Sequence, residues 1–285
     1  MKLFIYPRVN KLTSKQVNER REALQVGASL SSAHQLVYSF TCLLVYLFTA
    51  CEIDNYEPPT GGLYGQIVDA ETGDPVPQPL PSEGGLRLRF YEADRENAIE
   101  QHFYAQADGS YKNTHLFNGP VRLVLEQRNF FPIDTVELNI QGQTKKDIEV
   151  IPYARIKVKS LQADGNLITA GFTIERSKNR SYERLHLSQY LLLWHASPYI
   201  DRQTVNFSGQ ISTGFPDEPD ALNRLHDVAL DLSDDTNRKL LKEKANIISG
   251  NGNIIYIRLC LITYDESSDA IYANYSSTYP IKIAL

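Results

Sequence analysis

From residue 62 onward, apolar and polar positions alternate in short runs, the pattern of half-buried β-strands. In "LRLRFYE", Leu86, Leu88 and Phe90 fall on one face and Arg87, Arg89 and Tyr91 on the other. The runs are bounded by turn chemistry. In "LYGQIVDAETGDPVP", Asp69, Thr72, Gly73, Asp74 and Pro75 follow Tyr64, Ile67 and Val68, with glycine supplying positive φ and proline ending the pairing. "HFYAQADGSYKN" reads as a hairpin turning at Asp108-Gly109, and "VRLVLEQ" and "DTVELNI" are two strands on either side of the "NFFP" corner. Six or seven short strands over roughly 90 residues predict a small β-sandwich.

"PYARIKV", with Pro152 as the interruption, reads as a hinge into a second alternating series. "GNLITAGFTIER", "ERLHLSQYLLLWHAS", "QTVNFSGQIST", "VALDLS", "IIYIRLCLITY" and "YPIKIAL" are its strand candidates. They predict an immunoglobulin- or fibronectin-III-like sandwich. One helix interrupts the series. Ser233 or Asp234 caps it, Asp235 complements its dipole, and it ends at Gly250. The basic run Arg238 to Lys244 reads as its solvated face.

Ahead of the strands the pattern changes. Leu36 to Ala50 carry no charge over about 15 residues, with Lys11, Lys15, Arg20 and Arg21 before them. That is short of the roughly 20 residues of a membrane span and suits a signal-peptide core. Thr49 and Ala50 then precede Cys51, and "EIDNYEPPTGG" follows, too acidic and too rich in proline and glycine to fold alone. The expected organisation is a signal peptide over 1–50, a tether over 51–61, one sandwich over 62–152 and a second over 153–285. The fold class is all-β.

Five resemblances add to this. "LFTAC" resembles a lipoprotein cleavage site, with Phe48 where leucine is usual, and implies lipidation at Cys51. Glu52, Asp54 and Glu57 behind it resemble the surface-export signal of Bacteroidota lipoproteins. "GQIVDAETGDPVP" followed by "ADGSY" resembles carboxypeptidase-regulatory-like (transthyretin-like) sandwiches. "CEIDNYEPP", "NTHLFNG" and "EVIPYARIKV" are similar to a family of Bacteroidota surface lipoproteins that pair such a domain with a second β-domain. That family implies a place beside SusC/SusD-type glycan importers, an anchor in the outer membrane facing outward, and no settled activity. "DTV" at Asp134 to Val136 resembles the O-glycosylation sequon of the same bacteria.

The chain has 285 residues and a net charge of −5, which gives no basic face for nucleic acid. The three cysteines are Cys42, Cys51 and Cys260, with no metal-site spacing among them; Cys260 reads as a core residue. His102, His115, His186, His195 and His226 are scattered and form no HExxH motif. Ser208 lacks the GxSxG elbow of a hydrolase. "PDEPD" (Asp217, Glu218, Asp220) and "DESSD" (Asp265, Glu266, Asp269) lack EF-hand spacing and read as turns. Nothing calls for a cofactor or a catalytic residue. Aromatic display is what remains, since sugar rings pack on Tyr and Trp beside fixing polar groups. Tyr272, Tyr275 and Tyr279 in "AIYANYSSTYP", with Trp194 and Tyr199 in "WHASPYIDR", are the candidate ligand contacts, set against a core role for Trp194 at the end of "YLLLW" and a plain C-terminal strand pairing for the tyrosines. Two roles follow: a non-enzymatic glycan-binding accessory of an importer, or a module that holds a protein partner.

Overall fold

A computed structural model describes residues 18, 37–43, 58–81, 84–93, 100–126, 129–204, 210–214 and 221–284. The chain divides into two compact units, Met1–Glu57 and Pro58–Leu285. In the first, residues 37–43 are helical and display Val37, Tyr38, Phe40 and Leu43 to solvent. No described helix is long and apolar enough to cross a membrane. Cys51 and the acidic residues after it lie outside the described residues.

Among the described residues, Pro58–Leu285 is all-β apart from one long helix and holds two pairs of sheets. In the first pair, β1 (Gly61–Asp69) is central. The antiparallel sheet opposite it comprises β2 (Arg87–Glu92), β3 (Gln101–Tyr104), β5 (Gly119–Glu126) and β6 (Val136–Ile140) in the order β3-β2-β5-β6. One edge of β1 carries β4 (Ser110–Leu116) antiparallel; the other carries β7 (Gln143–Lys145) and then β8 (Ile148–Val150), both parallel. Leu63, Ile67, Leu88, Phe90, Leu123 and Phe130 are buried between the sheets, which is the alternation of β2 carried into packing.

Where β1 changes partner from β7 to β8, Gly65 is required. A Cβ there would stand 1.8 Å from the Lys146 carbonyl oxygen, which also accepts from the Tyr111 hydroxyl. The Asp108-Gly109 turn is real, with Gly109 at φ 84°, but it is no hairpin. β3 pairs with β2 and β4 with β1, so the turn carries the chain from one sheet to the other. Turn chemistry reverses a chain; it does not specify which neighbour the next strand joins.

The second pair sets β9 (Arg155–Asp164), β10 (Leu167–Glu175) and β13 (Leu225–Asp231), in the order β13-β10-β9, against a longer sheet. That sheet contains β11 (Leu185–His195), β12 (Gln210–Gly214), β14 (Ile254–Asp265) and β15 (Ala270–Tyr275), with β16 (Tyr279–Lys282) on β14. α1 (Asp235–Gly250) is capped by Asp234, whose carboxylate accepts from the amides of Thr236 and Asn237. Its Leu240, Leu241 and Ile248 pack on the core while Arg238, Lys239 and Lys242 are exposed.

β11 and β14 are apolar without alternation because both of their faces are covered. Leu192, Trp194, Ile257 and Leu259 face β10, β13 and α1. Leu191, Leu193, Cys260 and Ile262 form a separate core on the opposite face. That opposite face carries the seam with the first sandwich.

Candidate functional site

A buried arginine sits at the centre of the seam. Arg258 interrupts the apolar run of β14 and is 1% exposed. Its Nε donates to the Ser276 carbonyl at 3.0 Å and its Nη1 to that of Ile200 at 2.7 Å. Its Nη2 donates to the carbonyls of Gln78 at 2.9 Å and Ala107 at 2.8 Å. Two of these oxygens belong to the second sandwich and two to the first. The guanidinium carbon lies 4.3 Å from the centre of the Tyr275 ring. Burial pushes the Arg258 pKa down, and the carbonyl shell with the aromatic face replaces the solvation that a buried cation loses.

Neighbouring contacts complete the seam. Asp201, also 1% exposed, accepts from the amide of Leu80 in the first sandwich at 3.0 Å and from its own loop amides of Gln203 and Thr204. Asn274 donates to the Asn129 carbonyl at 2.8 Å, and Asn129 donates to the carbonyls of Pro77 and Ala273. Farther along, the Asp69–Asp74 turn meets β9. Arg155 pairs with both Asp69 and Glu71, and Lys157 with Asp74 at 2.6 Å. Hydrogen bonds from Ser177 and Asn179, with Arg155 alongside, hold the Glu71 carboxyl below its ordinary value; Lys157 does the same for Asp74.

Among the described residues, three hollows open along this seam. The largest of the three, about 630 Å³, is walled by Pro75, Pro77 and Pro198, with Tyr199 at 68% exposure. Gln66, Gln106, Asp108, Ser110, Ser277 and Thr278 supply its polar groups. The second, about 400 Å³, runs between the outer edge of β9 and residues 274–279. The third, about 260 Å³, lies beside Tyr272, Arg202 and Gln203.

The five aromatic candidates do not converge. Tyr199 stands on the largest hollow, Tyr279 is half-buried on the second, and Tyr272 lines the third with its ring 4.7 Å from Tyr153. Tyr275 is buried beneath Arg258. Trp194 is 1% exposed and donates from Nε1 to Asn237 on α1 at 3.1 Å. Trp194 has no free face for a sugar and holds a core position; Tyr275 is 5% exposed, with Arg258 over its ring and its edge on the walls of the second and third hollows. Trp194 ends an apolar run, and Tyr275 lies opposite Cys260 on a sheet covered on both sides.

Among the described residues no group of His, Cys, Asp and Glu is arranged to hold a metal. Asp265 accepts from Ser267 and Ser268 within its own turn, and Asp269 from Tyr264. His226 stacks on Phe172 at 5.4 Å and contacts the Ala221 carbonyl. The buried Cys260 thiol is pushed up to about 12 by desolvation. Ser208 and the Asp217, Glu218 and Asp220 cluster lie outside the described residues. Reading the sequence did not reach the first-sandwich half of the crevice, Gln66, Gln106 and Ser110, because nothing local marks those residues. Arg258 did leave a signal: a lone arginine inside "IIYIRLCLITY".

Among curated proteins, none matches the chain. Among solved structures, a DUF3823 family protein from Bacteroides uniformis ATCC 8492 superposes with a TM-score of 0.62 at 18% identity. A "putative carbohydrate binding protein" from the same strain gives 0.62 at 22%. A DUF3823 family protein from Parabacteroides merdae ATCC 43184 gives 0.62 at 21%. Each alignment covers 79% of this chain and 100% of the other, and at these identities the likeness is one of fold. Residues 61–151, the span of β1 to β8, match the N-terminal domain of DUF3823, a protein family of unknown function.

Proposed function

We propose that this chain is a non-enzymatic, lipid-anchored surface protein that retains a polysaccharide in the crevice at Tyr199. The observation that carries the reading is the crevice itself. An exposed tyrosine and three prolines provide apolar ground for the C–H faces of a sugar. Amides, hydroxyls and one carboxylate from both sandwiches surround it as hydrogen-bonding groups. A fold neighbour bearing the description "putative carbohydrate binding protein" supports it. Anchoring through Cys51, display on the outer face of the outer membrane and service to a SusC/SusD-type importer rest on the sequence resemblance.

Affinity electrophoresis of the soluble mature form through gels containing starch, xylan, galactomannan or polygalacturonate tests the binding. At least one gel should retard the parent and not Tyr199→Ala. Lipidation is tested separately: a Cys51→Ser form that still carries lipid sinks the anchor.

A second reading has one observation in its favour. Among the described strands β9 pairs with β10 alone, which leaves its outer edge open along the second hollow. An open edge is a place for a partner strand, though Lys157 and Lys159 are the charges that discourage such pairing.

A further inference from the structure

We propose that Arg258 is the residue that assembles the Tyr199 crevice, holding its walls in register from below without touching what the crevice binds. The inference rests on the glycan reading for the identity of the ligand, but not for the geometry. The four carbonyls that Arg258 holds are those of Gln78, Ala107, Ile200 and Ser276. The crevice is lined by Pro77, Ala107, Tyr199 and Ser277. Each carbonyl therefore sits on, or one residue from, a lining residue, and the four segments come from both sandwiches. One guanidinium reaches these four segments, while Gln66 on β1 and Ser110 on β4 complete the lining beyond its reach.

The chemistry favours arginine for this task. Its N–H groups diverge in one plane, so a single side chain bonds to four oxygens arranged around it. Its flat face stacks on Tyr275, whose own hydroxyl accepts from the Arg202 amide at 3.2 Å and so ties the Tyr199 loop to the same point. Filling space alone would not call for a cation, because an apolar side chain of similar volume replaces a buried charge at little cost and often with gain. Burying this one is worthwhile where position matters. Removing it frees the walls to separate while the inner core of each sandwich stays packed, since Leu192, Trp194, Ile257 and Leu259 in one and Leu63, Ile67, Phe90 and Leu123 in the other belong to clusters that do not contain Arg258.

The test compares the parent with Arg258→Lys and Arg258→Met by hydrogen–deuterium exchange and by the same gels. In both variants, peptides covering 76–80, 105–110, 198–202 and 275–279 should exchange at least about tenfold faster, and by a larger factor than those of β10 and β13. Retardation by any polysaccharide that binds the parent should weaken by at least about tenfold, a shift in binding rather than in folding. Unchanged exchange in the four segments, or an equal rise in β10 and β13, overturns the proposal. If neither variant folds, the parent decides: the Gln78, Arg202 and Ser276 amides should open with one shared free energy, and independent values overturn the proposal. The two claims fail differently. A parent that binds no polysaccharide removes the glycan reading and leaves the exchange result standing. A glycan bound through Tyr199 with unchanged strength in Arg258→Lys removes the role of Arg258.

Discussion

Gly65 has no space for a side chain, because the Lys146 carbonyl occupies the position a Cβ would take. Gly65→Ala must push apart β1 and the link between β7 and β8, and should cost roughly 3 kcal/mol or more, read as a fall in the urea midpoint. Trp194 is held differently, by a hydrogen bond as well as by packing. Trp194→Phe strands the Asn237 oxygen in the core and should cost roughly 1–3 kcal/mol in the same measurement; the ring volume it removes adds to that. The acidic turn brings a pH dependence. The folded-state pKa values of Glu71 and Asp74 lie below their ordinary 4.5 and 3.8, so below neutrality the unfolded chain takes up protons first. Their contribution is complete above those ordinary values and is lost as pH falls through the lower folded-state values. Ser177→Ala and Lys157→Met should each flatten that part of the urea-midpoint curve against pH.

At the scale of elements, alternation was enough to find strands and to say which side of β2 or β5 faces inward. The runs "YLLLW" and "IIYIRLCLITY" leave no polar side for water, a mark of strands covered on both faces that the expectation of a second alternating series passed over. What covers them was not legible. One face meets α1 and the facing sheet; the other packs on the Ile200 loop and Tyr275 and reaches the first sandwich through Arg258, and pairing between distant segments leaves no local mark. The same limit explains the Asp108-Gly109 turn, where the residues that reverse the chain say nothing of the sheet it enters. It explains the aromatic candidates too: spacing gathered Tyr272, Tyr275 and Tyr279 into one group, while the pleat sends Tyr275 into the seam and leaves Tyr272 half-exposed.

For the whole of Pro58–Leu285, the seam joins the sandwiches through buried polar contacts at Arg258, Asp201 and the Asn129–Asn274 pair, with the Arg155 ion pairs farther along. Such contacts are costly to open singly because each leaves a desolvated group behind. The two sandwiches should therefore unfold in one calorimetric transition, and two resolved transitions would show that the seam does not couple them. A crevice drawing its walls from both sandwiches depends on that coupling. The most direct test of the central claim is affinity electrophoresis of the soluble mature protein beside Tyr199→Ala. At least one polysaccharide should retard the parent, and the alanine variant, unchanged in thermal stability, should run freely. If no polysaccharide retards the parent, or the variant is retarded equally, glycan binding at this crevice is contradicted.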